Sequence, residues 1–290
     1  MRSYQEEDRH LVDYRLATVP GLPDWGESFR GPHPTGSGFV AFLGAAQTFG
    51  RLCAEPFPAL VGRALSVETA NLGHGGAGPE FYLQSDLLDG VRGASVVVVQ
   101  IMSARSQSSP HFRSDEGLMA GVRVADGRPM VAEELFEELL EDEPSAVPEV
   151  VRGFQEASVA STIELLKALA PTPTVLLWFS VQVPPCQVSQ GVDAREVLGT
   201  FPQLVTADMV EAMRPHATAY VECACTIGLP RTIVDEAGRP SSIVLDYRLS
   251  RPEQYTVTTD NYYPSPEMHL SAAVALIPVL GPLLQLASTA

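Results

Sequence analysis

The stretch Phe39-Val40-Ala41-Phe42-Leu43-Gly44-Ala45-Ala46-Gln47-Thr48-Phe49-Gly50 constrains this chain more than any other. An apolar run ends at a glycine, turns through small residues and opens toward a helix over about 48–65, divided by Pro56 and Pro58. A strand that feeds a helix through such a turn leaves backbone N–H groups unpaired at the helix start, aimed into the crevice above the sheet. Open α/β sheets place their ligands in that crevice. The pattern recurs at 67–79: a short strand runs into Asn71-Leu72-Gly73-His74-Gly75-Gly76-Ala77-Gly78-Pro79, with a helix over 79–89 behind it. Pro79 suits a first helical turn.

The clearest strand is 94–101, unbroken and β-branched, as a central parallel strand buried on both faces should be. Further strands are expected over 174–180 and 218–225, and helices over 131–142, 147–169, 202–213 and 266–287. Alternating strands and helices imply an α/β fold: a three-layer α/β/α sandwich with about five parallel strands. Residues 1–37 read as an N-terminal arm packed on a single domain spanning 38–290. Within the arm, 4–16 suits a short helix, and Phe29-Arg30-Gly31-Pro32-His33-Pro34 reads as loop because of its prolines. The polar stretch 103–130 reads as a long loop or lid. The acidic helix after it reads as a solvated face, and 242–247 as an added edge strand or hairpin.

A formal charge of −16 disfavours nucleic acid and anionic membranes as partners. The acidic start, Met1-Arg2-Ser3-Tyr4-Gln5-Glu6-Glu7-Asp8, has no apolar run typical of a secretory signal. The uncharged stretch 270–290 contains Pro278 and Pro282 and reads as a buried terminal helix rather than a membrane span. Cys53, Cys186, Cys223 and Cys225 are scattered, with neither a disulfide framework nor a second metal-ligand pair. They fit reduced thiols in a cytoplasmic protein. No H-E-x-x-H, carboxylate cluster or P-loop occurs, so neither metal nor nucleotide cofactor is expected. Self-association is left open.

Four blocks carry a resemblance. Gly44-Ala45-Ala46-Gln47-Thr48-Phe49-Gly50 resembles the first block of the SGNH (GDSL-like) hydrolases, G-D-S-x-T-x-G. Asn71-Leu72-Gly73-His74-Gly75-Gly76 is similar to their N-x-G-x-x-G block. Met102-Ser103-Ala104-Arg105 lies where G-x-N-D belongs, and Ser265-Pro266-Glu267-Met268-His269 resembles D-x-x-H. Order and spacing match over 39–275. Together with Phe29-Arg30-Gly31-Pro32 and Tyr262-Tyr263-Pro264-Ser265, the blocks also resemble a bacterial family of their own. The departures are specific. The nucleophilic serine of the family falls on Ala46, its neighbouring aspartate on Ala45, the asparagine of the third block on Ala104, and the aspartate before the histidine on Pro266. Gly76 and His269 remain. Loss of the nucleophile costs a serine hydrolase on the order of 10⁶ in turnover, which excludes an ordinary esterase acting through residue 46.

Residue by residue, two readings stand beside each other. Ala46, Gln47 and Thr48 either floor a ligand crevice with their N–H groups or cap a helix. His74 and Gly76 belong to a turn with more glycine than a tight turn needs, which suits a ligand-facing loop. His269, in the first turn of a helix, should be neutral and able to accept a proton, with Ser265 or Asp260 to orient it and Glu267 alongside. The plain alternative is a structural histidine. Arg105, His111, Arg113, Arg123 and Arg128 suit either a lid over an anionic group or a solvated loop. Cys53 points toward the core, and Ser103 is the better-placed replacement nucleophile. The expected function is an atypical enzyme acting on a small anionic or acyl-bearing metabolite, with His269 as acid/base and no serine acyl-enzyme. The alternatives are a catalytically silent module binding a glycan or metabolite, and a hydrolase using Ser103.

Overall fold

The computed structural model describes residues 4–22, 28–189, 191–246 and 254–287. The first part of the chain holds α1 (Tyr4–Glu7), β1 (Leu16–Ala17), β2 (Phe29–Arg30), β3 (Phe39–Leu43), α2 (Ala46–Phe49), α3 (Phe57–Leu65) and β4 (Thr69–Asn71). Then come α4 (Pro79–Tyr82), α5 (Ser85–Gly90), β5 (Ala94–Gln100), β6 (Phe112–Ser114), β7 (Ala120–Arg123), β8 (Pro129–Val131), α6 (Ala132–Asp142) and α7 (Val147–Ala168). The last part holds β9 (Thr174–Ser180), α8 (Ala194–Leu198), α9 (Ala207–Met213), β10 (Ala219–Ala224), β11 (Arg231–Thr232), β12 (Ile243–Asp246), β13 (Gln254–Val257), β14 (Thr259–Asp260) and α10 (Pro266–Ala287).

The main sheet has the order β1-β2-β4-β3-β5-β9-β10. Its five central and distal strands, β4, β3, β5, β9 and β10, run parallel. Alternate residues of each strand feed two cores. Ala41, Leu43, Val97, Val99, Leu176 and Trp178 pack with Phe154, Leu165 and Leu166 of α7 and with α9. Val40, Phe42, Val96, Val98, Val175, Leu177 and Phe179 pack with Phe57 and Val61 of α3 and with Met268, Ala272, Leu276 and Leu280 of α10. Helices on both faces are why β5 and β9 read as continuous apolar runs. The result is the three-layer α/β/α sandwich.

Several elements differ from the sequence reading. Phe29 and Arg30 are not loop: they pair antiparallel with Ala17 and Leu16, and Arg30 also with Asn71. The prolines that argued against a strand begin two residues later, and an edge strand this short tolerates them. The stretch 103–130 is not an unstructured loop, because β6, β7 and β8 form an antiparallel sheet. Phe112 and Met130 are buried from it, Phe112 lying 5.9 Å from the Phe154 ring. Asp126-Gly127, with Gly127 at φ +70°, is a hairpin turn pair that the loop reading passed over. The helix expected over 202–213 starts only at Ala207. The hairpin expected near 242–247 is β12 paired with β13, and Tyr247 lies outside the described residues.

Helix α10 runs through both prolines. Pro278 and Pro282 lie on its exposed side, where water can take up the carbonyls their missing N–H groups leave free. By length and composition this helix could cross a membrane. Here it lies against the sheet, and it is not buried all round: Leu270, Val274 and Leu286 are exposed.

Candidate functional site

Counting only its parallel strands, the sheet reverses direction of growth between β3 and β5, and ligand crevices form at such switch points. Side chains fill this one. Gln100, ending β5, is fully buried, and its Oε1 accepts the Ala45 N–H (3.1 Å) and the Thr48 hydroxyl (2.6 Å). The Tyr82 hydroxyl sits between the carbonyls of Gly44 (2.7 Å) and Leu72 (2.6 Å) and accepts the Gly44 N–H. Asn71 bridges the two glycine turns: its amide donates to the Thr48 carbonyl at 3.0 Å and its Oδ1 accepts the Gly73 N–H at 3.0 Å. A Cβ on Gly73 would lie 2.2 Å from the Phe49 nitrogen, so this glycine is required by contact of the two turns. Replacing Gln100 by Leu strands the buried Ala45 N–H and is expected to cost about 1–3 kcal/mol, read from denaturant unfolding.

Other parts of the chain pack on the second turn. Gly76 has φ +79°, and a Cβ there would meet Met119 at 2.8 Å, so the turn lies beneath the β6–β8 insertion. His74 stacks on Phe81 with ring centroids 4.8 Å apart, and burial lowers its pKa to about 4. The expected lid is also committed elsewhere. Arg105 pairs with Glu133, Arg123 with Asp126 and Glu138, and Arg128 with Glu138. One face of the acidic helix α6 thus neutralises the arginines rather than facing only water, and no anion is needed to hold them.

His269 is fully buried, its ring centroid 5.9 Å from that of Phe57 and 5.5 Å from that of Phe179. Its Nδ1 accepts the Phe57 N–H at 3.2 Å. An accepting Nδ1 carries no hydrogen, so the neutral ring holds its proton on Nε2. In a serine triad a carboxylate accepts from Nδ1–H and leaves Nε2 as the base. Here a backbone N–H stands in the carboxylate's place and exchanges the two nitrogens. Burial, then the charges of Arg30 and Arg231, lowers the pKa to about 3. The orienting groups proposed for it serve other ends. Ser265 caps α10, its Oγ accepting the Met268 N–H at 3.1 Å and donating to the Ile227 carbonyl. Asp260 takes Arg231 and the N–H groups of Tyr262 and Tyr263. Glu267 is exposed.

Ser103 is buried with its hydroxyl 3.5 Å from the Gln203 carbonyl, a partner that cannot take its proton. Burial raises the Cys53 thiol to about 11. Neither is an activated nucleophile. What the ends of β3 and β9 do bring together is a cavity of about 30 Å³ lined by Gln47, Ser180, Phe201, Asn261, Tyr262 and Met268 among others. Among the described residues that line it, none carries a charge. The Oε1 atoms of Gln47, in the lining, and of Gln203, outside it, are buried without a hydrogen-bond partner among the described residues. Gln203 donates to the Tyr262 hydroxyl at 3.1 Å. Of these residues Gln47 stood out in the sequence as a candidate ligand contact and Tyr262 only as part of the block Tyr262-Tyr263-Pro264-Ser265, whereas Gln203 and Asn261 arrive from loops with no motif of their own.

No curated protein matches this chain. Solved structures that are similar include a carbohydrate esterase family 2 enzyme plus carbohydrate binding domain from Corynascus thermopiles (Myceliophthora fergusii), at 13% identity and TM-score 0.41, covering 88% of this chain and 68% of that one. An acetyl xylan esterase from Butyrivibrio proteoclasticus is similar at 12% identity and TM-score 0.43, covering 88% and 66%. The chain spans about two thirds of the length of these esterases. A putative lipolytic protein of the G-D-S-L family from Desulfitobacterium hafniense DCB-2 is similar at 14% identity and TM-score 0.39, covering 84% and 99%. The family described as Domain of unknown function (DUF6473) matches residues 22–115 and 131–284, leaving out most of the β6–β8 insertion, and the chain belongs to that family.

Proposed function

We propose that this chain keeps an SGNH-like framework without its acyl chemistry, and that the crevice beside Gln47 binds a neutral carbohydrate without covalent reaction. The observation that carries the reading is the Phe57 N–H donated to His269 Nδ1, which removes the base, together with Ala46 in place of a nucleophile. The cavity supports a ligand that is neutral and polar. Its lining has no charge to meet an anion, while the buried Gln47 amide oxygen awaits a donor such as a hydroxyl or amide group. At about 30 Å³ the cavity has room for one or two waters or a single small substituent, so the body of the ligand would lie outside it. Tyr262 at its mouth is 36% exposed and offers a flat face to a sugar ring.

Titration with a neutral oligosaccharide tests this, with a Kd of about 0.1–1 mM expected for so shallow a site. Gln47→Leu and Tyr262→Ala should each weaken binding at least about tenfold, which is about 1.4 kcal/mol. Short-chain aryl esters should give no turnover above background. Ala46→Ser should not create turnover either, because restoring the hydroxyl does not restore a base, and it should change stability by less than about 0.5 kcal/mol. Ester turnover abolished by His269→Gln would overturn the reading in favour of the enzyme.

A further inference from the structure

Arg30 is 6% exposed and has no carboxylate within ion-pair distance among the described residues. Its Nη1 donates to the carbonyls of Phe49 (3.3 Å), Gly50 (3.1 Å) and Cys53 (2.8 Å), and its Nη2 to that of Ala54 (2.5 Å). The Tyr14 and Phe49 rings lie 5.3 and 5.9 Å from the guanidinium carbon. Carbonyls and rings solvate the cation without neutralising it, and an uncompensated buried charge is costly. The Nε–H has no acceptor among the described residues, and in a guanidinium this N–H and the neighbouring Nη2–H form the parallel pair of donors that matches a carboxylate.

Arg30 also lines a groove of about 280 Å³ between α3 and the segment 31–34. This groove shares no lining residue with the crevice at Gln47. Pro32, Pro34, Pro56 and Ala59 give it apolar walls. Arg63 and Glu68 also line it, and Arg63 is engaged by Glu55 at the surface, a pairing that water weakens. Its volume approaches the range of small-molecule sites, about 300–1,000 Å³, and apolar walls with a few placed polar groups are their usual make-up.

We propose that this groove is a binding site for a small organic carboxylate, its two oxygens taken by the Nε–H and Nη2–H of Arg30 and its apolar body set among the prolines. A monoanion balances the single charge of Arg30. A phosphate would bring a second negative charge next to Glu68 on a chain already at −16.

Benzoate, its neutral analogue benzamide and inorganic phosphate, compared at equal ionic strength by calorimetry on the full chain, test the assignment. Benzoate should bind once per chain with a Kd of about 1 mM and raise the melting temperature. Benzamide should bind at least about tenfold more weakly, since it lacks the charge. Ala59→Phe, a change at an exposed helical position that fills the groove, should abolish benzoate binding while circular dichroism remains native. Arg30→Lys should do the same if it folds. Equal binding of benzoate and benzamide would overturn the proposal. So would phosphate bound in preference to benzoate, or unaltered binding by a folded Ala59→Phe protein.

Discussion

Lowering the pH from 7 to 4.5 is expected to weaken the fold by about 2–3 kcal/mol through His269 alone, at 1.36 kcal/mol per pKa unit. The folded ring has a pKa lowered to about 3 from 6.5, so between these values the unfolded chain binds the extra proton. Stability is therefore full above about pH 6.5 and is lost as pH falls toward 3. His74, lowered to about 4 by burial, adds in the same direction and window. Against a typical domain stability of about 5–15 kcal/mol, the loss is large enough to bring acid unfolding near pH 4. Denaturant unfolding at several pH values measures it. His269→Gln keeps an acceptor for the Phe57 N–H but does not titrate, so its stability should depend less on pH by about one proton over pH 4–6. Identical pH slopes in the two proteins would show that the imidazole is not held neutral.

Removing Asp8 or Arg51 should cost about 3–5 kcal/mol, the range for breaking a buried ion pair from one side. Their side chains are 2% and 4% exposed, and Arg51 Nε lies 2.7 Å from Asp8 Oδ2. Arg51 Nη1 continues to the Tyr263 hydroxyl at 2.8 Å, and the Tyr14 hydroxyl reaches Asp8 Oδ2 at 3.3 Å. One network thus ties the start of the chain, the end of the first glycine turn and the segment before α10. Asp8→Ala takes away the carboxylate that meets Arg51 Nε and Nη2, so Asp8→Leu combined with Arg51→Met should recover most of the loss. A loss of unfolding free energy below about 1 kcal/mol for Asp8→Ala, read from urea denaturation, would mean that water reaches the pair.

The layered architecture was legible because β3, β5 and β9 are covered on both faces, which leaves unbroken apolar runs that can be read locally. The position of the crevice followed from the glycine at the end of β3. Its contents did not. Gln100 reads as one polar residue ending a strand, and nothing local says that its amide will close the crevice from 55 residues away in sequence. The glycines of 73–78 looked like room for a ligand, yet backbone and Met119 use that room. His269 occupied the motif position for a base, but which of its nitrogens holds the proton depends on Phe57, 212 residues earlier. Buried polar partners come from contacts distant in sequence, and periodicity carries no record of them.

The lacing of Gly44, Leu72 and Asn71 by Tyr82 and by main-chain groups has a bearing on recognition. A floor bonded this densely has few alternative arrangements, so a guest pays little to order it and cannot remodel it. Adjustment is left to the rim, where the Tyr262 ring is 36% exposed while its hydroxyl is held by the Gln203 amide. Affinity for related guests should then vary through how fast they escape past that ring, with arrival rates much alike.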